Sequence, residues 1–362
     1  MKKLNITFGA ILVVLVCSAF SPSSWATITT LDAPGAGTGP FQGTIVIAIN
    51  QSGEVTGYYI DSSYAVHGFL RAKDGTFTIF DVPRALDTLA FGVNPVGAVA
   101  GNYDDASNFA HGYIRSNGTF TTFDAPGAAG GFGTLAVNIN EAGTVAGHYT
   151  DAANAFHGFL RTADGTFTTF DAPGAGTGEI QGTFVDAATG LNPAGAVAGF
   201  YVDAAYTRHG FVRAPDGAIT TFDIAGAGTG PFQGTIPGSL NAAGSIAGSY
   251  VDAGYANHGF RRTQNGIITT FDVPGAGTGP GQGTTVNMIS MTGEITGFYT
   301  DTSNVNHGFT LSANGTFTTF DAPGASTHPF TGTIPTGADP TGDVVGFYFD
   351  ANNAFHGFLL RK

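Results

Sequence analysis

Only one cysteine and one tryptophan occur in 362 residues, Cys17 and Trp25, both near the N-terminus. A single chain with one cysteine has no internal disulfide, so its fold rests on packing alone. Basic residues are also scarce: 13 Lys and Arg stand against 26 Asp and Glu, a formal net charge of −13. Such a surface repels phosphate backbones, which makes nucleic acid a poor partner. Almost no segment repeats its apolar residues at the 3.6-residue period of an amphipathic helix, so helix should be nearly absent. Apart from the first residues, no apolar run approaches the roughly 20 needed for a membrane span. Nucleophile elbows of the Gly-x-Ser-x-Gly type are missing. So is any phosphate loop, since the glycine-rich segments are followed by neither Lys-Ser/Thr nor a helix. The glutamates Glu54, Glu141, Glu179 and Glu294 fall in turns or loops.

The first 26 residues have the organisation of a secretory signal. Lys2 and Lys3 precede an apolar run from Phe8 to Val16, and Ser24-Trp25-Ala26 supplies a small-x-small cleavage pattern. Val16 before Cys17 does not suit a lipobox. Cleavage after Ala26 predicts an exported domain over residues 27–362, secreted or periplasmic, soluble and monomeric, with no cysteine and a net charge of −15 once Lys2 and Lys3 are lost.

What is abundant is repetition. His-Gly-Phe/Tyr begins at His67, His111, His157, His209, His258, His307 and His356, at spacings of 44, 46, 52, 49, 49 and 49 residues. Each unit reads as four strands, here Thr44–Asn50, Glu54–Ile60, a third from His67 to Arg71, and Thr76–Asp81. Asp74-Gly75 and its counterparts, from Asn117-Gly118 to Asn314-Gly315, predict type I′ hairpin turns between third and fourth strands. A unit of about 48 residues cannot bury its own faces and needs neighbours.

The ends favour a ring over an open stack. Ile28–Asp32 reads as a fourth strand with no unit before it, and His356–Leu360 as a third strand with no fourth after it. Pairing them predicts an all-β fold, a seven-bladed β-propeller of four-stranded antiparallel blades closed by the N-terminal strand. Strands of six to eight residues are too short for an outer-membrane barrel, which needs about 9–11.

The unit Ile-Asn-x-x-Gly-x-Val-x-Gly-x-Tyr, then His-Gly-Phe-Leu-Arg, then Gly-x-Phe-Thr-Thr-Phe-Asp resembles the bacterial extracellular HAF repeats, named for His-Ala-Phe. The resemblance covers the whole chain after the leader, with Gly68, Gly112, Gly158, Gly210, Gly259, Gly308 and Gly357 in place of the alanine. It implies an exported β-propeller and brings no reaction, cofactor or site residues.

Two features are candidate sites. An Asp precedes each His by six residues: Asp61/His67, Asp105/His111, Asp151/His157, Asp203/His209, Asp252/His258, Asp301/His307 and Asp350/His356. Two ligands per loop are too few for a closed zinc site, and a feature present in every unit reads as a rule of construction: a hydrogen bond ordering the loop. The fourth-strand Asp (Asp81, Asp171, Asp272 and equivalents) is expected to bind loop amides. The crossovers between units, such as Pro34–Thr44, share a face with the Asp–His loops. They carry Phe41, Phe132, Phe232 and Phe330, which either stack on a ligand or pack between sheets.

Asymmetry, which catalysis requires, is confined to Pro83–Asp87, the insertion Val185–Thr189, and His148 and His328. The expectation is therefore a binding propeller for an extracellular glycan or protein, with no catalytic, metal or cofactor residues assigned. A structural matrix protein and a polysaccharide hydrolase are the alternatives. Any ligand is expected on the crossover face, because the opposite face is made of tight turns.

Overall fold

The computed structural model describes residues 27–185 and 190–362; the leader and Asp186–Thr189 of the inserted segment lie outside the described residues. Among these residues there are 28 strands and no helix, hence none long and apolar enough to cross a membrane. The architecture is a β-propeller assembled from repeated four-stranded antiparallel sheets.

In the first repeat the strands are Gly43–Ile49, Val55–Ile60, Val66–Arg71 and Phe77–Phe80. Ladders join them in sequence order, with a register shift between Val46 and Ala48 in the first strand. Thr27–Leu31 pairs antiparallel with Phe355–Arg361, the third strand of the last repeat, in the register Thr27↔Arg361 to Leu31↔Gly357.

Five junctions between repeats carry a single parallel bridge, such as Phe156↔Gly182 and Phe355↔Gly43. Where the bridge forms, glycine is required. Gly43 has φ +119°, and a Cβ on it would stand 2.0 Å from the Phe355 carbonyl oxygen. In the second repeat, whose crossover is short, Asp87 occupies the position and its carboxylate accepts from the Val66 amide at 2.9 Å.

Apolar clusters each draw on two neighbouring repeats, which is why no unit is stable alone. One joins Val137, Ala146 and Leu160 to Val185, Val197 and Phe211. Another joins Val46, Val55 and Phe69 to Leu31, Val345 and Leu359. On the outer side, Arg115, Arg161, Arg213 and Arg262 lay their guanidinium groups over the fourth-strand Phe of the preceding repeat, at 4.6–5.1 Å from the ring centre.

One prediction needs correction. The Asp-Gly hairpins are not two-residue type I′ turns: only Gly75 has positive φ, the Gly75 amide donates to Ala72 and the Ala72 amide to Thr76. The type I′ pattern, with both residues at positive φ, occurs at Asn117-Gly118 (φ 49° and 81°), where the loop is one residue shorter. The glycine of His-Gly-Phe has a packing cause. A Cβ on Gly68 would lie 2.4 Å from the Phe80 ring, and Gly112 and Gly259 meet Phe123 and Phe271 at the same distance. Glycine in the third strand and phenylalanine in the fourth are one packing unit.

Candidate functional site

The Asp–His loop has a different wiring from the one the spacing suggests. Each ring donates from Nδ1 to the fourth-strand aspartate: His67 to Asp81 at 3.0 Å, His111 to Asp124 at 2.8 Å, His209 to Asp223 at 2.9 Å. His356 takes Asp32, from the start of the chain, at 3.1 Å. The aspartate six residues before the His lies at the other ring edge, 3.4–3.7 Å from Nε2. Its closer partners are amides of its own loop: Asp203 accepts from Ala205 and Thr207, both at 2.8 Å. The two aspartates thus exchange the roles expected of them. A tyrosine of the second strand stacks on each ring, as Tyr201 does on His209 at 4.8 Å.

This arrangement suits a structural clamp better than a metal centre. The two carboxylates sit at opposite edges of one imidazole, which cannot turn both nitrogens towards one ion. Among the described residues no three His, Asp or Glu side chains are grouped to hold a metal. Loop carboxyl groups such as those of Asp105 and Asp301 are held below the usual carboxylate range. At Asp105 the amides of Phe109 and Ser107 do this; at Asp301 burial pushes upward and is outweighed by the amides of Val305 and Ser303 and by His307.

Three further constructional sets escaped the sequence reading. A buried threonine opens each first strand and accepts from the amide after the fourth-strand Asp, as Thr44 does from Ala33 at 2.8 Å and Thr284 from Val273 at 3.0 Å. A buried glutamine ends the longer crossovers. Gln233 accepts from Gly230 at 2.8 Å and donates to Ala253 at 3.1 Å, which fixes the crossover against the next Asp–His loop. The asparagine that ends the first strand in the first five repeats caps its own turn and reaches into the following repeat, while Ser290 and Asp339 hold the position in the last two. Asn50 donates to the Asn94 carbonyl (2.8 Å), Asn94 to Asn140, Asn140 to Asn192, Asn192 to Asn241, and Asn241 to Ser290 (2.9 Å). The Asn in Ile-Asn-x-x-Gly was the available signal; its partner, some 44–52 residues away, was not visible in the sequence.

The four crossover phenylalanines are exposed, so they do not pack between sheets. Phe41 is 59% exposed and Phe330 72%; Phe132 and Phe232 are about half exposed. They stand at separate junctions and do not converge on one pocket. Phe41 faces Phe355, Phe132 faces Phe156, and Phe232 faces Tyr206. Phe41, Ile180, Phe232 and Phe330 hold left-handed backbone (φ 60–65°), while the sixth crossover has Gly281 at the equivalent point. Each amide of this set donates to the carbonyl of a residue in the preceding Asp–His loop, as Phe232 does to Tyr206 and Phe330 to Asn304.

The asymmetric residues are dispersed. His148 lies at the junction of the third and fourth repeats, donating to the Val185 carbonyl at 3.2 Å, and burial pulls its pKa down to about 4. His328 belongs to the last crossover, where its carbonyl accepts from Thr331. Asp104 is raised by burial and then by Asp87 beside it.

The opposite face is less featureless than its turns suggest. A cavity of about 210 Å³ opens where the first strands end, lined by Ile49, Val93, Ile139, Leu240, Met288 and equivalents from the other repeats, with Gln51 at its rim.

No family model matches the chain, and no curated protein does. Among solved structures, one from a study of two prolyl endopeptidases is 11% identical, covering 90% of this chain and 47% of that one, with a TM-score of 0.52. TolB from Acinetobacter baumannii is 14% identical over 86% of this chain and 64% of its own, at 0.46. The Aleuria aurantia lectin in complex with α-methyl-L-fucoside is 9% identical over 84% and 95%, at 0.41. This chain therefore spans about half the length of the endopeptidase and under two thirds of TolB, and at these identities the likeness is one of fold.

Proposed function

We propose that this chain is an exported, seven-bladed, closed propeller of the HAF-repeat type that binds an extracellular glycan on its crossover face. Closure is supported by the ladder between Thr27–Leu31 and the last third strand, by the Phe355↔Gly43 bridge, and by the Asp32–His356 clamp. Export rests on the leader sequence. Binding rather than catalysis is favoured by the near-identity of the clamps in every repeat, which leaves no distinct catalytic set.

One observation carries the choice of face. Large apolar side chains occupy left-handed backbone at exposed crossover positions, a conformation that disfavours a Cβ by about 1–2 kcal/mol, while Gly281 meets the same need without that strain. A solvent-exposed Phe at a strained position leaves an aromatic face open to a ligand, and strain of this kind concentrates at functional sites. Aromatic faces on a rigid loop suit the apolar face of a sugar ring.

The test is a glycan array followed by calorimetry on the best ligand. Phe41→Ala combined with Phe232→Ala should weaken binding at least about 10-fold, roughly 1.4 kcal/mol, and Gln51→Ala should leave it unchanged. The apolar cavity supports a second reading, a guest at the axis, in which Gln51→Ala weakens binding and the Phe variants do not. A blank array would remove the glycan reading.

A further inference from the structure

Because the chain contains its own relatives, its repeats can be compared position by position. The clamps, the buried Thr and the asparagine relay are the same throughout or nearly so, and these build the sheets. The residue before each His-Gly is not held constant: Val66, Ala110, Phe156, Asn257, Asn306 and Phe355 occupy it in six repeats, and Arg208 in the fourth.

Arg208 is half-buried at the crossover face. Its Nη1 donates to the Phe232 carbonyl at 3.0 Å, and the guanidinium lies 5.9 Å from the Phe200 ring centre and 5.6 Å from that of Phe232. Phe200 stacks on Phe184 at 4.9 Å with an angle of 6°, and Phe184 packs on Phe156 at 4.2 Å. Tyr206, also in left-handed backbone, touches Phe232 on the far side. Aromatic rings thus run through the fourth repeat, from the buried Phe156 to the exposed Phe232 at the fourth–fifth junction, with one cation set beside them.

Among the described residues no carboxylate forms an ion pair with that cation. Asp203 is engaged by His209 and loop amides, Asp216 accepts from the Ala218 amide in its own hairpin, and Asp223 is engaged by His209. Burial alone holds the Arg208 pKa below its ordinary value, with no neighbouring charge countering it. Arg115, Arg161, Arg213 and Arg262 recur and fill the space between sheets on the outer side, where Asp216 adds its charge near Arg213. Arg208 recurs nowhere, so it is not a rule of construction. A guanidinium out of bulk water with free N–H donors is unfavourable until an anion pairs with it. In a chain of net charge −13, a lone cation on an aromatic platform selects a ligand with a negative charge and an apolar ring face together.

We propose that the junction around Arg208 binds a carboxylated sugar residue of an acidic glycan, its carboxylate on the guanidinium and its ring on Phe232 and Tyr206. This rests on the reading of the crossover face as a glycan surface. A planar guanidinium meets a carboxylate through two parallel N–H···O bonds, which a lysine ammonium does not reproduce.

The probe is tetragalacturonate, titrated calorimetrically against its full methyl ester on the chain from residue 27 onward. The acid should bind at least about 10-fold more tightly than the ester, in keeping with a charge-assisted bidentate contact. Arg208→Gln should erase that preference while leaving ester binding in place, and Arg208→Lys should restore part of it. Arg213→Gln removes the same charge from the other side and should keep the preference. Equal affinities for acid and ester in the unaltered protein overturn the proposal while the glycan reading stands. Survival of the preference in Arg208→Gln also overturns it. If neither compound binds and neutral glycans also fail, both readings fall. Binding of a Glu-rich peptide through Arg208, with every glycan silent, replaces the sugar by a protein partner.

Discussion

Leu31→Ala probes the junction between the two ends of the chain. Leu31 is 4% exposed and packs against Val46, Val55, Tyr59 and Phe69 of the first repeat and Val345 and Leu359 of the last. Its backbone is paired with Gly357, where a Cβ would meet the Leu31 carbonyl oxygen at 2.6 Å, so the ladder has no room to slide inward. Buried Leu→Ala changes cost about 2.7–5 kcal/mol, more where the walls cannot collapse. Here the walls are two sheets held by separate ladders, and a loss of about 3–4 kcal/mol is expected. Ile28, half-buried in the same strand, is the control and should lose about 1 kcal/mol on truncation to Ala. Urea unfolding followed by tyrosine fluorescence and by far-ultraviolet circular dichroism is the assay, and the two traces should coincide if unfolding is two-state. With a slope of about 3 kcal/mol/M for a chain this size, the midpoint should fall by about 1 M. Deleting residues 27–33 should lower it further, because the last third strand then has an open edge and His356 loses Asp32. A Leu31→Ala midpoint within about 0.2 M of the parent, on the same slope, would falsify the claim that this strand stabilises the fold.

The clamps and the acid response give two more tests. Asp223→Ala should destabilise by about 1 kcal/mol through the His209 hydrogen bond, and Asp203→Ala by about 1–3 kcal/mol through the loop amides, since either removes the acceptor; metal content, measured by mass spectrometry, should stay unchanged, and stoichiometric metal lost on either change would reverse the assignment. For His148 the folded pKa of about 4 lies below the ordinary 6.5, so protonation favours unfolding. Its contribution is full above about pH 6.5 and is lost progressively as pH falls to about 4; because the ring keeps some solvent contact, about 1–3 kcal/mol is involved. His148→Phe, the residue that Phe200 and Phe298 supply in other repeats, should flatten Tm against pH in that window. The lowered carboxyls at Asp105, Asp151, Asp252, Asp301 and Asp350 act lower down, giving stability above the ordinary carboxylate pKa that disappears as pH drops through their depressed values. A melting temperature that rises between pH 5 and pH 3 would contradict this.

The sequence by itself determined what is local and periodic. Alternating Phe and Thr at Phe77–Phe80, glycine-containing turns and the return of His-Gly-Phe every 44–52 residues specify strands, hairpins and the repeating unit, because side chains alternate across a strand and Asp-Gly or Asn-Gly ends one. The hairpin type is misread from sequence: type I′ is expected at every Asp-Gly or Asn-Gly, and only Asn117-Gly118, in a loop one residue shorter, has both residues at positive φ. Tertiary structure alone decided which partners meet. His209 is six residues from Asp203 and fourteen from Asp223, yet the register of the third and fourth strands sets the more distant Asp at Nδ1. Asn50 finds Asn94 only when two sheets stack face to face, and Gly68 is glycine because Phe80 lies across it. The exposed, left-handed Phe232 beside Arg208 likewise follows from how a crossover meets the preceding loop. Spacing along a chain states what is near in sequence; the register and packing of strands decide what is near in space.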